Sequence, residues 1–241
     1  MISTLRSFKK SSSAGVSGIR PGHILSLLDI QGSNRLVHTL RSLTSKLANF
    51  EVPQCLSPLL CGARLIALRK PNGDPRPIAC GDVFRRLTSK LVLLRALPLV
   101  SPKLLPVQLG ISVPSGTEMI FHQVCSQLNT TLDEQNLLLL DLKNAFNSID
   151  RSSIMKAITK YCPLLLRWFA WSYGVPSRLN FGEFTIMSKQ GVQQGDPLGS
   201  LLFAIAIHDS IMAVHSLHGV VWSGWFADDG TIQAPYLTSC S

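Results

Sequence analysis

A chain of 241 residues with 46% apolar residues is long enough to bury the core of one large domain or two small ones. Its formal charge of +9 is one-sided: residues 1–100 hold 15 Lys/Arg against 4 Asp/Glu, net +11, and residues 101–241 hold 8 against 10, net −2. That asymmetry favours a polyanionic partner gripped by the basic half over an evenly solubilised surface. The six cysteines include no Cys-x-x-Cys pair and no nearby His at zinc spacing, and His215 and His218 lack further ligands around them. They read as reduced thiols in an intracellular protein, which excludes zinc-finger and disulfide-stapled classes. No apolar run approaches the roughly 20 residues of a membrane helix. The N-terminus, with Arg6, Lys9 and Lys10, has no apolar core of a secretory signal, so no membrane partner is expected.

In chain order, a Gly/Ser loop over Ser12–Pro21 leads into a helix at His23–Leu28. A second helix spans Ser33–Asn49, with Leu36, Leu40, Leu43 and Leu47 at helical spacing. Arg64–Arg69 reads as a strand, Lys70–Pro75 as a strong turn, and Arg76–Ala79 as the return strand. Alone, this basic hairpin is an exposed turn. Arg85, Arg86 and Lys90 begin the next helix, where a template backbone and a solvated helix face explain them equally well. Ser115 or Thr117 caps a helix running to about Leu128. Leu137–Leu140, four consecutive leucines, suggest a central strand buried on both faces that delivers Asp141 at its end. Helices follow over Ser152–Tyr161 and Arg167–Val175, then a hairpin over Arg178–Ser188 around Gly182. A long helix runs from Pro197 to Val214, with Pro in its first turn.

Near the C-terminus an apolar run over Val220–Phe226 is followed by Asp228-Asp229-Gly230 and by Thr231-Ile232. The pattern is strand, tight turn, strand. Successive strand residues face opposite ways, so the two acids share a site only if a turn re-aims one of them. By itself this is a solvated Asp-Gly turn. Asp141 changes the reading, because three acids on two strands supply what two-metal phosphoryl transfer requires. Two divalent cations about 3.5–4 Å apart must share hard oxygen ligands.

Asp141-Leu142-Lys143-Asn144-Ala145-Phe146, Gln194-Gly195-Asp196-Pro197-Leu198 and Phe226-Ala227-Asp228-Asp229 stand in that order, 53 and then 34 residues apart. They resemble motifs A, B and C of reverse transcriptases, most nearly those of non-LTR (LINE-type) retrotransposons. The resemblance implies an α+β right-hand polymerase fold, with residues 1–112 as basic fingers and residues 113–241 as a palm of antiparallel sheet and packed helices. It implies Asp141, Asp228 and Asp229 as catalytic residues. Two Mg²⁺ (or Mn²⁺) would be held by these acids and the carbonyl of Leu142. Lys70 and Arg76 would contact the phosphates of the incoming nucleotide. Asn144, Ala145 and Phe146 would lie beneath its sugar, and Gln194 and Gly195 would pack against the nascent base pair. The implied partners are an RNA template, a DNA primer and dNTP, with transfer to the primer 3′-hydroxyl.

Within the same resemblance Gln108 would touch template, and Asp196 would cap its helix. A flat ring at Phe146 leaves no room for a 2′-hydroxyl and so argues for deoxynucleotides. Viral RNA-copying RNA polymerases usually place an Asp at this spacing. Nothing after Gln233 resembles the later palm motifs or the thumb, so a C-terminally truncated domain with the thumb absent is expected. Two other readings stay open: an inert retrotransposon remnant that only binds nucleic acid, and an RNA-dependent RNA polymerase of similar palm shape.

Overall fold

The computed structural model describes residues 1–30, 33–69, 71, 73, 75–130 and 135–235. It is a mixed α+β fold with two sheets. Three N-terminal helices, α1 (Ile2–Arg6), α2 (Pro21–Leu28) and α3 (Asn34–Ala48), come first, followed by the single turn α4 (Ser57–Leu60). In α3 the buried face is Val37, Leu40, Thr44 and Leu47, while Leu36 and Leu43 are half-buried. Thr44 can occupy a core position because its hydroxyl donates to the carbonyl of Leu40 at 2.8 Å.

The basic hairpin forms as β1 (Ala63–Arg69) and β2 (Pro75–Gly81), antiparallel from Ala63 opposite Gly81 to Arg69 opposite Pro75. Lys70 lies outside the described residues. Asp82 then accepts from the backbone N–H of Phe84 and starts α5 (Val83–Leu104), which keeps Pro98 and Pro102 in its second half. Val83 and Leu87 of α5 bury Leu5, Ile24, Leu25 and Leu40 of the N-terminal helices. Next come α6 (Gly116–Thr130), β3 (Gln135–Asp141), the short α7 (Ala145–Ser148), α8 (Arg151–Tyr161) and α9 (Leu166–Tyr173). The hairpin β4 (Ser177–Phe181) and β5 (Phe184–Ser188) turns at Gly182, whose φ of +57° suits glycine.

β4 does not stay with its own hairpin alone. It pairs in parallel with β1, so the first sheet runs β2-β1-β4-β5 and takes strands from both sides of residue 112. The long α10 (Gly199–His215) follows, and its apolar side joins α5, α8 and α9 in the main core around Trp168, Trp171, Leu202 and Ile158. Last are β6 (Trp222–Phe226) and β7 (Asp229–Pro235), which with β3 form the second sheet in the order β3-β7-β6. A small cluster of Val107, Ile211, Trp225 and Ile232, with Leu140 against it, packs this sheet onto α10.

The expectation of a central β3 buried on both faces is corrected. β3 is at the sheet edge, and Leu137, Leu138 and Leu139 are 40%, 53% and 69% exposed. A run of leucines records apolar character but not what covers it. Among the described residues only Leu140 turns into the core.

Candidate active site

The acids come together through strand register. β3 and β7 run antiparallel with Asp141 opposite Asp229, and β6 and β7 close with Phe226 opposite Asp229, leaving Ala227 and Asp228 as a two-residue turn. Ala227 takes a left-handed φ of +56°, which supplies the re-aiming two neighbouring acids need. Asp141 and Asp229 are exposed, and Asp228 is half-buried.

Asp228 reports the electrostatics of the cluster. Its pKa lies above the ordinary carboxylate value, first because burial disfavours the charge and then because Asp229 and Asp141 repel it. Its own backbone N–H and the charge of Arg76 pull the other way. Arg76, exposed on β2, thus faces the acids from the other sheet. The donor set fits a hard divalent cation, being carboxylate oxygen without thiol or imidazole. The side chains do not close into a ligand shell by themselves: among the described residues no three His, Cys, Asp or Glu side chains gather at ligand spacing.

After Asp141 the chain turns sharply. Leu142 is 39% exposed, and its carbonyl accepts from the N–H of Ala145 at 3.3 Å. Asn144 is left-handed (φ +54°), a conformation Asn tolerates, and its side chain accepts from Asn147 at 2.8 Å. Ala145 is buried beneath this turn. The Phe146 ring is half-buried and stacks on Phe203 of α10, centroids 4.6 Å apart.

The segment before α10 is stitched to both neighbours through backbone. Val192 donates to Phe146 and Gly191 to Ile149, at 2.8 and 2.9 Å. A Cβ on Gly191 would meet the backbone of Asn147 at 2.4 Å, so this glycine, unmarked by any sequence pattern, is required by the close approach. On the other side Ala79 of β2 donates to the carbonyl of Gln194 at 2.7 Å, and a Cβ on Gly195 would strike the Ala79 carbonyl at 2.4 Å. Gly195 therefore accommodates the protein's own strand. A cavity of about 430 Å³ opens beside this junction, lined by Asn144, Asn147, Gln190 and Gln194 together with Leu65 and Pro77. A second of about 460 Å³, between α1, α3 and α5, touches none of these residues.

Beneath the segment lies a buried polar network. Arg85 pairs with Asp196 at 3.1 Å, both side chains at most 2% exposed, and also donates to the carbonyl of Cys61 and to Gln193. Asp196 accepts from the hydroxyl of Tyr173 at 2.8 Å and caps the turn into α10 through the N–H of Leu198 at 3.0 Å. The guanidinium groups of Arg85 and Arg151 lie 5.0 and 5.1 Å from the Tyr173 ring centroid. The expected cap of the helix by Asp196 is corrected, since α10 starts at Gly199 with Leu198 as its N-cap and no side-chain cap bond, and Asp196 instead holds the turn before it. The template or solvent role of Arg85 is replaced by this pair. Arg86 and Lys90 also differ from expectation. Both sit over the Phe8 ring, and Arg86 donates to the carbonyl of Ser13, so they hold the N-terminal segment. Gln108 is likewise corrected: it is fully buried and its amide is bonded to Ala227, out of reach of a template. Charges and amides more than 100 residues apart carry no sequence signal of their pairing.

An acid cluster faced by an arginine on an α+β scaffold is the kind of site that handles phosphate through divalent cations. The sequence pattern of the reverse transcriptase (RNA-dependent DNA polymerase) family matches residues 68–238 of this chain, a stretch that holds all three acids, and the chain belongs to that family. It is similar to the retrotransposable element SLACS 132 kDa protein of Trypanosoma brucei gambiense, 27% identical over 204 residues. That match covers 81% of this chain and 17% of the relative. It is also similar to a probable RNA-directed DNA polymerase from transposon X-element of Drosophila melanogaster, 27% identical over 184 residues, or 71% of this chain and 20% of the relative. The resemblance to retrotransposon reverse transcriptases is borne out. The chain spans no more than about a fifth of the length of either relative.

Proposed function

We propose that this chain is the fingers and palm of an RNA-directed DNA polymerase, joining dNTP to the 3′-hydroxyl of a DNA primer on an RNA template. Residues 1–112 would supply the basic fingers, with β4 and β5 returning to complete their sheet, and residues 113–241 the palm. The observation that carries the proposal is the register that sets Asp141 opposite Asp229, with Asp228 at the adjoining turn and Arg76 facing it. The family match runs through all three acids, which disfavours an inert remnant.

Asp141, Asp228, Asp229 and the carbonyl of Leu142 are the groups that would hold two Mg²⁺. When bound, such ions lower the pKa of the primer hydroxyl and neutralise the nucleotide's phosphates and the departing pyrophosphate. The rest is placement by the chain. Arg76, and Lys70 from the same hairpin, offer positive charge to the phosphates, the arginine as a planar fork. Asn144, Ala145 and Phe146 form the floor under the sugar. The Phe146 ring, fixed by Phe203, excludes a 2′-hydroxyl. Gln194 would supply amide contacts at the base pair, and Gly195, packed on Ala79 of β2, would set the backbone of this segment beside it.

Single-nucleotide extension of a DNA primer on an RNA template tests this reading. Incorporation is expected with Mg²⁺ and dNTP. It should disappear with EDTA and fall at least a hundredfold in Asp228→Ala, since removing a group matched to transition-state charge costs several kcal/mol. Undiminished extension by Asp228→Ala overturns the reading. Template binding that falls steeply with salt, without extension, moves the conclusion to a protein that only binds nucleic acid.

A further inference from the structure

We infer that Gln108 is a positioning residue for the acid-bearing turn, acting by bracketing Ala227, the residue just before Asp228 and Asp229, so that the turn carrying both acids is held in one conformation. This rests on the acids being the metal site proposed above. Gln108 is 0% exposed, and both ends of its amide bond the same residue. Its Oε1 accepts from the N–H of Ala227 at 2.8 Å, and its Nε2 donates to the carbonyl of the same residue at 3.2 Å. The amide thus satisfies both backbone polar groups of the residue that immediately precedes Asp228.

That residue needs holding. Ala227 is left-handed at φ +56°, a conformation that costs an alanine energy and that a glycine adopts freely. A turn strained in this way persists only when its surroundings over-determine it. The surroundings here are built around Gln108. Leu109 donates to the carbonyl of Trp225 and Trp225 donates to the carbonyl of Val107, both at 2.7 Å, so residues 107–109 run as a short parallel rail beside the end of β6. Oε1 of Gln108 also accepts from the N–H of Gly110 at 3.2 Å. Gly110 lies so close that a Cβ would meet the N of Ala227 at 2.6 Å. The rail carries no acid, so its effect on chemistry passes through the turn.

An amide that only stabilises the fold and one that sets the aim of two acids differ in what they do to cation binding. Residues that orient metal ligands from behind typically change metal affinity 10–100-fold when removed. The experiment measures Mn²⁺ binding to the full chain by the loss of the free-ion paramagnetic resonance signal. It uses the native protein, Asp228→Ala, Gln108→Leu and Gln108→Leu/Ala227→Gly, with a thermal melt of each. Gln108→Leu should weaken Mn²⁺ about tenfold. Adding Ala227→Gly should restore affinity to within about threefold of native, because glycine adopts the turn without a clamp. Unchanged affinity in Gln108→Leu, or a loss that Ala227→Gly does not restore, overturns the inference. If Gln108→Leu does not fold, Gln108→Met, nearer to glutamine in length and shape, removes the same bonds to Ala227 without adding a charge. Its affinity should also fall and should recover with Ala227→Gly, and failure of either overturns the inference equally. A native protein whose Mn²⁺ binding does not depend on Asp228 instead overturns the metal-site reading, so the two failures are distinguishable.

Discussion

Asp196→Asn keeps the shape of the side chain, its acceptor for the Leu198 N–H and its contact with the Tyr173 hydroxyl, but removes the charge opposite Arg85. Both partners are at most 2% exposed, so Arg85 would be left as a buried cation with no anion. Its remaining bonds, to the carbonyl of Cys61 and the amide of Gln193, are to neutral groups. Breaking a buried pair from one side costs about 3–5 kcal/mol, and a chain of this size loses roughly 2–4 °C of Tm per kcal/mol. Thermal denaturation followed by circular dichroism should therefore show Tm falling by roughly 6–20 °C. Replacing both charges together, Arg85→Met with Asp196→Asn, should recover a substantial part of that loss, since no uncompensated charge is then buried. A shift below about 2 °C in the single variant would refute the buried pair and, with it, the idea that this network anchors the segment before α10.

Two further outcomes follow from the site. The raised pKa of Asp228 means the folded state holds that proton more tightly than the unfolded chain. Its contribution to stability is fully present below the ordinary value of 3.8 and is lost as pH rises through the higher folded value. Ionised Asp228 thus opposes folding at neutral pH. Asp228→Asn should raise the Tm of the protein in EDTA at pH 7, with the gain shrinking as the pH falls toward 4, and no gain at pH 7 would contradict the assignment. Phe146→Ala removes the ring stacked on Phe203, which should cost about 2–3 kcal/mol in urea titrations for a half-buried aromatic. In a direct dNTP-versus-NTP competition it should also erase the preference for the deoxynucleotide, and retained preference would remove Phe146 from the sugar site.

Much of the local structure was legible in the residues. Turn chemistry marked the hairpin at Gly182 and helical spacing marked α3, whereas the expected Asp-Gly turn lies earlier, at Ala227–Asp228, with Asp229 and Gly230 already in β7. The three acids were legible because charge at the end of an apolar run is rare enough to point somewhere. What escaped was non-local. Nothing in β1 or β4 announces that they lie side by side in parallel, since pairing across more than 100 residues depends on the whole core. The leucines of β3 gave the right strand but the wrong surroundings. Gln108 was placed on a template by the resemblance, and Arg85 was left between a template backbone and a solvated helix face, because a polar side chain offers no sign that its own chain has already claimed it.

The leucines of β3 have a practical consequence. A seven-residue edge strand with Leu137, Leu138 and Leu139 open to water presents apolar side chains beside backbone groups ready to bond. Solvent-exposed strand edges of this kind recruit other strands, from whatever chain comes near. The formal charge of +9 slows such encounters at low ionic strength, and that protection fades once salt screens it. Self-association of the purified chain should therefore grow with salt.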